Sequence, residues 1–178
     1  MPAYLLLLVA VLSRLLPHAG MWNFTAVGGA LLFFGARRSR REMLLPVAAL
    51  MASDYLLTVY SYHFAFVWQS YLVTWGWYLM AIVLGRILLS TQTTTLRVVS
   101  GALLGPTTFF LVSNFAVWQS GWLYPRTMNG LAVCYIAGLP FYRNDLLSTG
   151  LVSAIAFGVP VLVRRWSEAH SQPLPVGR

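Results

Sequence analysis

Residues 114–145 read NFAVWQSGWLYPRTMNGLAVCYIAGLPFYRND, and the way this stretch is placed decides how many times the chain crosses a membrane. It is rich in aromatics, interrupted by Pro125 and Pro140, and carries Arg126, Arg143 and Asp145 among uncharged apolar neighbours. A plain bundle of membrane helices has little need of such a segment. It reads as the lid or wall of a binding site, and residues 131–141 within it read as a re-entrant or surface helix rather than a seventh short span.

The remainder of the chain supports a membrane setting. Of 178 residues, 58% are hydrophobic and only 9% charged, against about a quarter charged in an ordinary soluble domain. The strand-like alternation of an outer-membrane barrel is absent, so the expected fold class is an all-α integral membrane protein. The net charge of +8 comes entirely from arginine, with no lysine. Because these arginines fall in short blocks between apolar runs, they read as cytoplasmic loops and not as a nucleic-acid surface. The single Cys134 rules out an internal disulfide and a multi-cysteine zinc site.

Six apolar runs are expected to span: residues 1–16, 22–36, 43–60, 66–89, 98–117 and 146–163. The first is short for a span, and lacking a basic leader it reads as a first helix and not a signal peptide. Glycines 28, 29 and 35 in the second run, and Gly101 and Gly105 in the fifth, permit close helix contact. Pro106 predicts a kink. The blocks at 37–41, at Arg86 with Arg97, and at Arg164 with Arg165 alternate consistently with six spans and with both termini cytoplasmic. Residues 1–166 then form one transmembrane domain, with a long outer loop or re-entrant helix between the fifth and sixth spans. Residues 167–178 are expected to be a disordered cytoplasmic tail, and the expected location is a bacterial inner membrane.

Polar residues inside these runs mark where a ligand could bind. At about 1.5 Å per residue, Asp54 lies roughly 20 Å above Arg41, in the outer half of the bilayer. Asn114 lies roughly 25 Å above Arg97 by the same rise, and Arg14 and Asn23 flank the first outer turn. An ionised Asp in mid-helix costs about 2.5–3.5 kcal/mol on insertion scales and faces a partner or a cavity. Asp54 therefore either forms a buried ion pair with Arg14 that fixes helix packing, or contacts a ligand, and both can hold together. Tyr55, Trp118, Trp122 and Tyr124, with Trp22, Tyr60, Tyr62 and Trp68, cluster near this level. They suit an interfacial belt or stacking walls for a ring system, and Arg126 joins them as a candidate contact.

Catalytic signatures are missing. HExxH, GxSxG, a Walker loop and paired acids are all absent, so no enzyme activity, cofactor or metal is expected. His18, His63 and Cys134 could together bind a metal only if the outer loops bring them into one place.

The segments NFTAVGGALLFFG at 23–35, Ser53-Asp54, and NFAVWQSGWLYPRTMNGLAVCYIAGLPFYRN at 114–144 resemble a family of small bacterial membrane proteins of uncharacterised function. That family in turn resembles the S components of energy-coupling factor transporters in having six short spans and an outward-facing pocket. The resemblance implies capture of a vitamin-like micronutrient, with the cobalamin type as one candidate and His or Cys then serving as its cobalt ligand. It also implies a transmembrane coupling subunit and cytoplasmic ATPases as partners. Many S components carry an Ala-xxx-Ala pattern in the first helix. Ala3 and Ala10 do not form it, whereas Ala48 and Ala52 in the third run do. The expected function is thus substrate binding for uptake, and the rival is a structural subunit of a larger membrane complex.

Overall fold

A computed structural model of the chain describes residues 1–16 and 22–170. These form six α-helices: α1 (Pro2–Leu15), α2 (Val27–Arg37), α3 (Leu44–Leu56), α4 (Leu72–Leu89), α5 (Thr95–Ser120) and α6 (Met128–His170). Short 3-10 turns precede α3 and α4, and α3 is prolonged by one π-helical turn, Leu57–Ser61. No strand occurs among the described residues.

The local sequence explains the ends. Pro2 opens α1, where the missing N–H is not needed. Thr94 caps α5 by accepting from Arg97 N at 3.4 Å, and Gly121 ends it in the left-handed region at φ 69°. Arg14, Arg37 and Arg86 each fall in the last turn of a helix, where a cation suits the helix dipole.

The six-span expectation holds only in a coarser form. Four segments are long and apolar enough to cross a membrane: the one containing α3, the one containing α4, and helices α5 and α6. Helices α1 and α2, of 14 and 11 residues, reach only about 21 Å and 17 Å at 1.5 Å per residue, short of a hydrocarbon core of about 30 Å.

The opening stretch is corrected more sharply. Residues 131–141 are neither a re-entrant nor a separate surface helix, because α6 runs unbroken for 43 residues through Pro140 and Pro160. A break in apolar surroundings would strand backbone N–H and C=O groups, and neighbouring helices let a proline remain inside. Only residues 121–127 connect α5 to α6. Trp118 pins this turn, its indole N–H donating to the carbonyls of Pro125 and Thr127, each at 3.1 Å. The last helix also continues past residue 166 to His170. Residues 171–178 of the expected tail lie outside the described residues.

Helix α2 is the centre of the bundle, buried from Val27 to Ala36. Its glycines let its neighbours reach the backbone. A Cβ at Gly35 would collide with the carbonyl oxygen of Ile82 on α4, and one at Gly85 of α4 would collide with that of Leu32. This reciprocal notch brings two backbones together as small-residue helix contacts do. Phe34, Leu31, Leu50 and Ile82 fill the surrounding core.

One end of the bundle gathers the arginine blocks. Arg38 donates through Nε to Glu42 Oε2 at 2.7 Å and through Nη2 to the Tyr4 hydroxyl at 2.6 Å, and Tyr4 donates to Glu42 in turn. Arg86 reaches the Arg38 carbonyl at 3.1 Å. The Arg37 guanidinium lies 5.8 Å from the ring centre of Phe33 and 5.9 Å from that of Phe157. Helices α1 and α3 rise from this end and α2 and α4 return to it. Arg14, Val27, Asp54 and Tyr78 consequently meet well inside the bundle.

Candidate functional site

The site is built around Asp54, which is 3% exposed in the last turn of α3. A carboxylate buried in apolar surroundings requires a counter-charge and hydrogen bonds, and α1 and α4 supply them. Arg14, at the end of α1, pairs through Nη2 with Asp54 Oδ1. Its Nη1 donates to Ser53 Oγ at 2.8 Å and to the Tyr78 hydroxyl at 3.0 Å. From α4, the Trp75 indole N–H donates to Asp54 Oδ2 at 2.9 Å, and the Tyr78 hydroxyl lies 3.3 Å from the same oxygen. The Thr58 hydroxyl donates to the Asp54 carbonyl at 2.7 Å and meets the Tyr71 hydroxyl. The last pair lies at the π-helical turn, where that carbonyl accepts a side chain besides its backbone partners.

Beside this network lies a cavity of about 260 Å³, to which every helix contributes. Arg14, Asp54 and Val27 come from α1, α3 and α2; Phe109 and Asp145 come from α5 and α6; Tyr71, Thr74, Trp77 and Tyr78 come from α4 and the turn before it. Asn23 and Thr25, from the connection into α2, complete the wall. Asn23 holds a left-handed conformation at φ 62°, which Asn tolerates better than most residues. Asp145 is 8% exposed; its carboxylate accepts from the Thr149 hydroxyl at 3.3 Å. That hydroxyl sits against Gly28, where a Cβ would leave it no room.

Of the residues expected from sequence, Arg14, Asn23 and Asp54 therefore come together. Asn114 does not reach this cavity. It lines an adjoining void of about 30 Å³ that shares Asn23, Phe109 and Asp145, and it links α5 to α6 by accepting from the Cys134 thiol at its carbonyl, 3.3 Å away.

The expected aromatic cover is absent from the cavity. Trp118, Trp122, Tyr124 and Arg126 lie around the α5–α6 turn, Trp122 is 89% exposed, and Arg126 donates to the Ser120 carbonyl at 3.3 Å. With α6 unbroken from Met128, these residues stay at that turn and none of them lines the cavity. Tyr55 faces outward, packing edge-on against Tyr60 and Phe66. His63 is exposed and Cys134 is buried between α5 and α6, while His18 lies outside the described residues. Among the described residues no three His, Cys, Asp or Glu side chains converge as metal ligands do.

Sequence reading missed the contribution of α4 and of Asp145. Tyr71, Thr74, Trp75 and Tyr78 follow the i, i+3, i+4, i+7 spacing of one helix face. A polar-aromatic stripe was therefore present in the sequence, hidden within an aromatic run that also suits an interfacial belt.

A second, larger groove of about 570 Å³ lies between the basic halves of α5 and α6. Its wall is mainly apolar, with Ala154 and Gly158 on α6 and Ala102 on α5, and Arg165 stands at its end. The buried Ser153 hydroxyl beside it has no hydrogen-bond partner among the described residues.

The chain belongs to a family of unknown function (DUF6580), whose model matches residues 1–171. No curated protein and no solved structure matches it.

Proposed function

We propose that the chain is a bacterial inner-membrane protein that binds a small organic molecule for uptake, in the manner of the S components it resembles. The cavity beneath Asn23 is the observation that carries this reading. A void of about 260 Å³ is just under the range of about 300–1,000 Å³ typical of ligand pockets. Its combination of aromatic walls with a few placed polar groups is also typical of them. Arg14 and Asp54 act there both as a packing pair and as the polar floor.

With the arginine-bearing end cytoplasmic, the cavity faces the outer half of the bilayer and both termini are inside. Size favours a one- or two-ring compound over the cobalamin type, since a corrin is several times larger than the void. Ala48 and Ala52 lie on the exposed face of α3, which suits docking on a transmembrane coupling subunit. The reading is tested by uptake of a panel of radiolabelled water-soluble vitamins into cells expressing the wild type or Thr74→Trp, a change that fills the cavity from α4. Accumulation lost in the variant supports the proposal. Equal accumulation of every compound contradicts it.

A structural subunit of a larger complex is the second reading, favoured by the α5–α6 groove, whose small residues would admit a helix of another chain. Co-purification with a partner at fixed stoichiometry would support it.

A further inference from the structure

Resting on the reading of this cavity as a binding site, the charges that line it specify what kind of molecule it takes. Arg14 is the only basic side chain among the described residues of the wall, and two carboxylates, Asp54 and Asp145, share that wall. The arginine is engaged by Asp54, Ser53 and Tyr78. Asp145 lies on a different helix and forms no ion pair among the described residues; its carboxylate has one hydrogen bond, from Thr149. With both acids ionised the wall carries a formal charge of −1.

The amino end of α2 opens toward the same space at Val27. Its partial charge of about +0.5 reduces this deficit without cancelling it. An unpaired acid inside a membrane bundle marks a ligand or ion pathway more often than packing. The rings of Tyr71, Trp77, Tyr78 and Phe109 line the same cavity, and aromatic faces attract cations within about 6 Å of their centres.

We infer that the cavity binds a small organic cation, an ammonium or a protonated ring nitrogen, whose charge lies on the Asp145 carboxylate and whose apolar body lies among the α4 and α5 aromatics. The Arg14–Asp54 pair fixes the opposite wall and stays closed in the complex. Selectivity follows from the same arrangement. A neutral analogue would leave Asp145 unpaired in the occupied cavity, and an anion would meet it with like charge.

The experiment is calorimetric titration of the full chain in lipid nanodiscs with three probes of similar size: 2-phenylethylammonium, 2-phenylethanol and phenylacetate, with empty nanodiscs subtracted. The wild type is expected to bind the ammonium at least tenfold more tightly than the alcohol and to reject the carboxylate. Asp145→Asn is expected to abolish that preference while still binding the alcohol, which shows the cavity intact. Asp145→Glu should retain the preference, and Glu168→Gln, at the far end of α6, should leave it unchanged. If the alcohol or the carboxylate binds as tightly as the ammonium, or Asp145→Asn keeps the cation preference, the cation assignment is overturned while the binding site stands. If no probe of any charge binds, the cavity reading falls and this inference falls with it.

Discussion

Arg14 and Asp54 are 40 positions apart in sequence and form an ion pair in which the carboxylate is 3% exposed and the guanidinium 15%. The pair ties α1 to α3, and the further bonds from Trp75 and Tyr78 tie both to α4. A charge pair this deeply buried stabilises mainly as a unit, because either partner alone would be an uncompensated charge.

Removing one partner should therefore cost more than removing both. Arg14→Ala is expected to destabilise by ~3–5 kcal/mol, whereas Asp54→Asn in addition should recover a substantial part of that loss. Thermal unfolding of the single and double variants in nanodiscs checks this. Strictly additive losses would show that the two residues are not coupled.

The notch between α2 and α4 predicts an asymmetry among glycines. Gly85→Ala forces a Cβ against the Leu32 carbonyl and should cost at least ~1–3 kcal/mol, as overpacking does. Gly76→Ala, on the same helix with open space around it, should instead stabilise by ~0.4–1 kcal/mol. Chemical denaturation of both variants would reveal equal effects if α2 and α4 were not in backbone contact.

Cys134 is a direct probe of the α5–α6 hairpin, being the only cysteine in the chain. It is 1% exposed and donates to the Asn114 carbonyl, so a maleimide should modify the folded protein at least tenfold more slowly than the unfolded one. Gly138→Leu, which drives a side chain into Asn114 across the same contact, should restore rapid labelling. Fast labelling of the wild type would mean that α5 and α6 do not pack along this face.

Orientation is testable in a Cys134→Ser background. Thr91→Cys lies by the arginine end and Gln69→Cys in the connection before α4. A membrane-impermeant maleimide applied to intact spheroplasts should label the cysteine at 69 and spare that at 91. The reverse pattern would invert the proposed topology.

How much of this was legible in the sequence depended on the distance over which the signal acts. Asp54 and Arg14 stood out because a charge in an apolar run is costly wherever it lies, so the need for a partner was visible before the partner's position was. Glycines 28, 29 and 35 likewise announced a crowded helix, and α2 is the buried one. Residues 114–145 misled because Pro125 and Pro140 carry the same local signal. Pro125 lies in the turn, and Pro140 is absorbed into α6, where continuing the helix leaves fewer backbone groups unpaired than breaking it. Asp145 was visible as an acid, but its place in the same cavity as Asp54 depends on α6 being one helix, and no local pattern fixes that.

The central claim is that the cavity beside the Arg14–Asp54 pair is a small-molecule site, and the most direct test is native mass spectrometry of protein purified gently from its own membranes. A single small organic adduct at one per chain, released on activation and missing from Thr74→Trp, is the predicted result. Wild-type protein that carries no adduct in any preparation, or an adduct that persists unchanged in Thr74→Trp, would contradict the account.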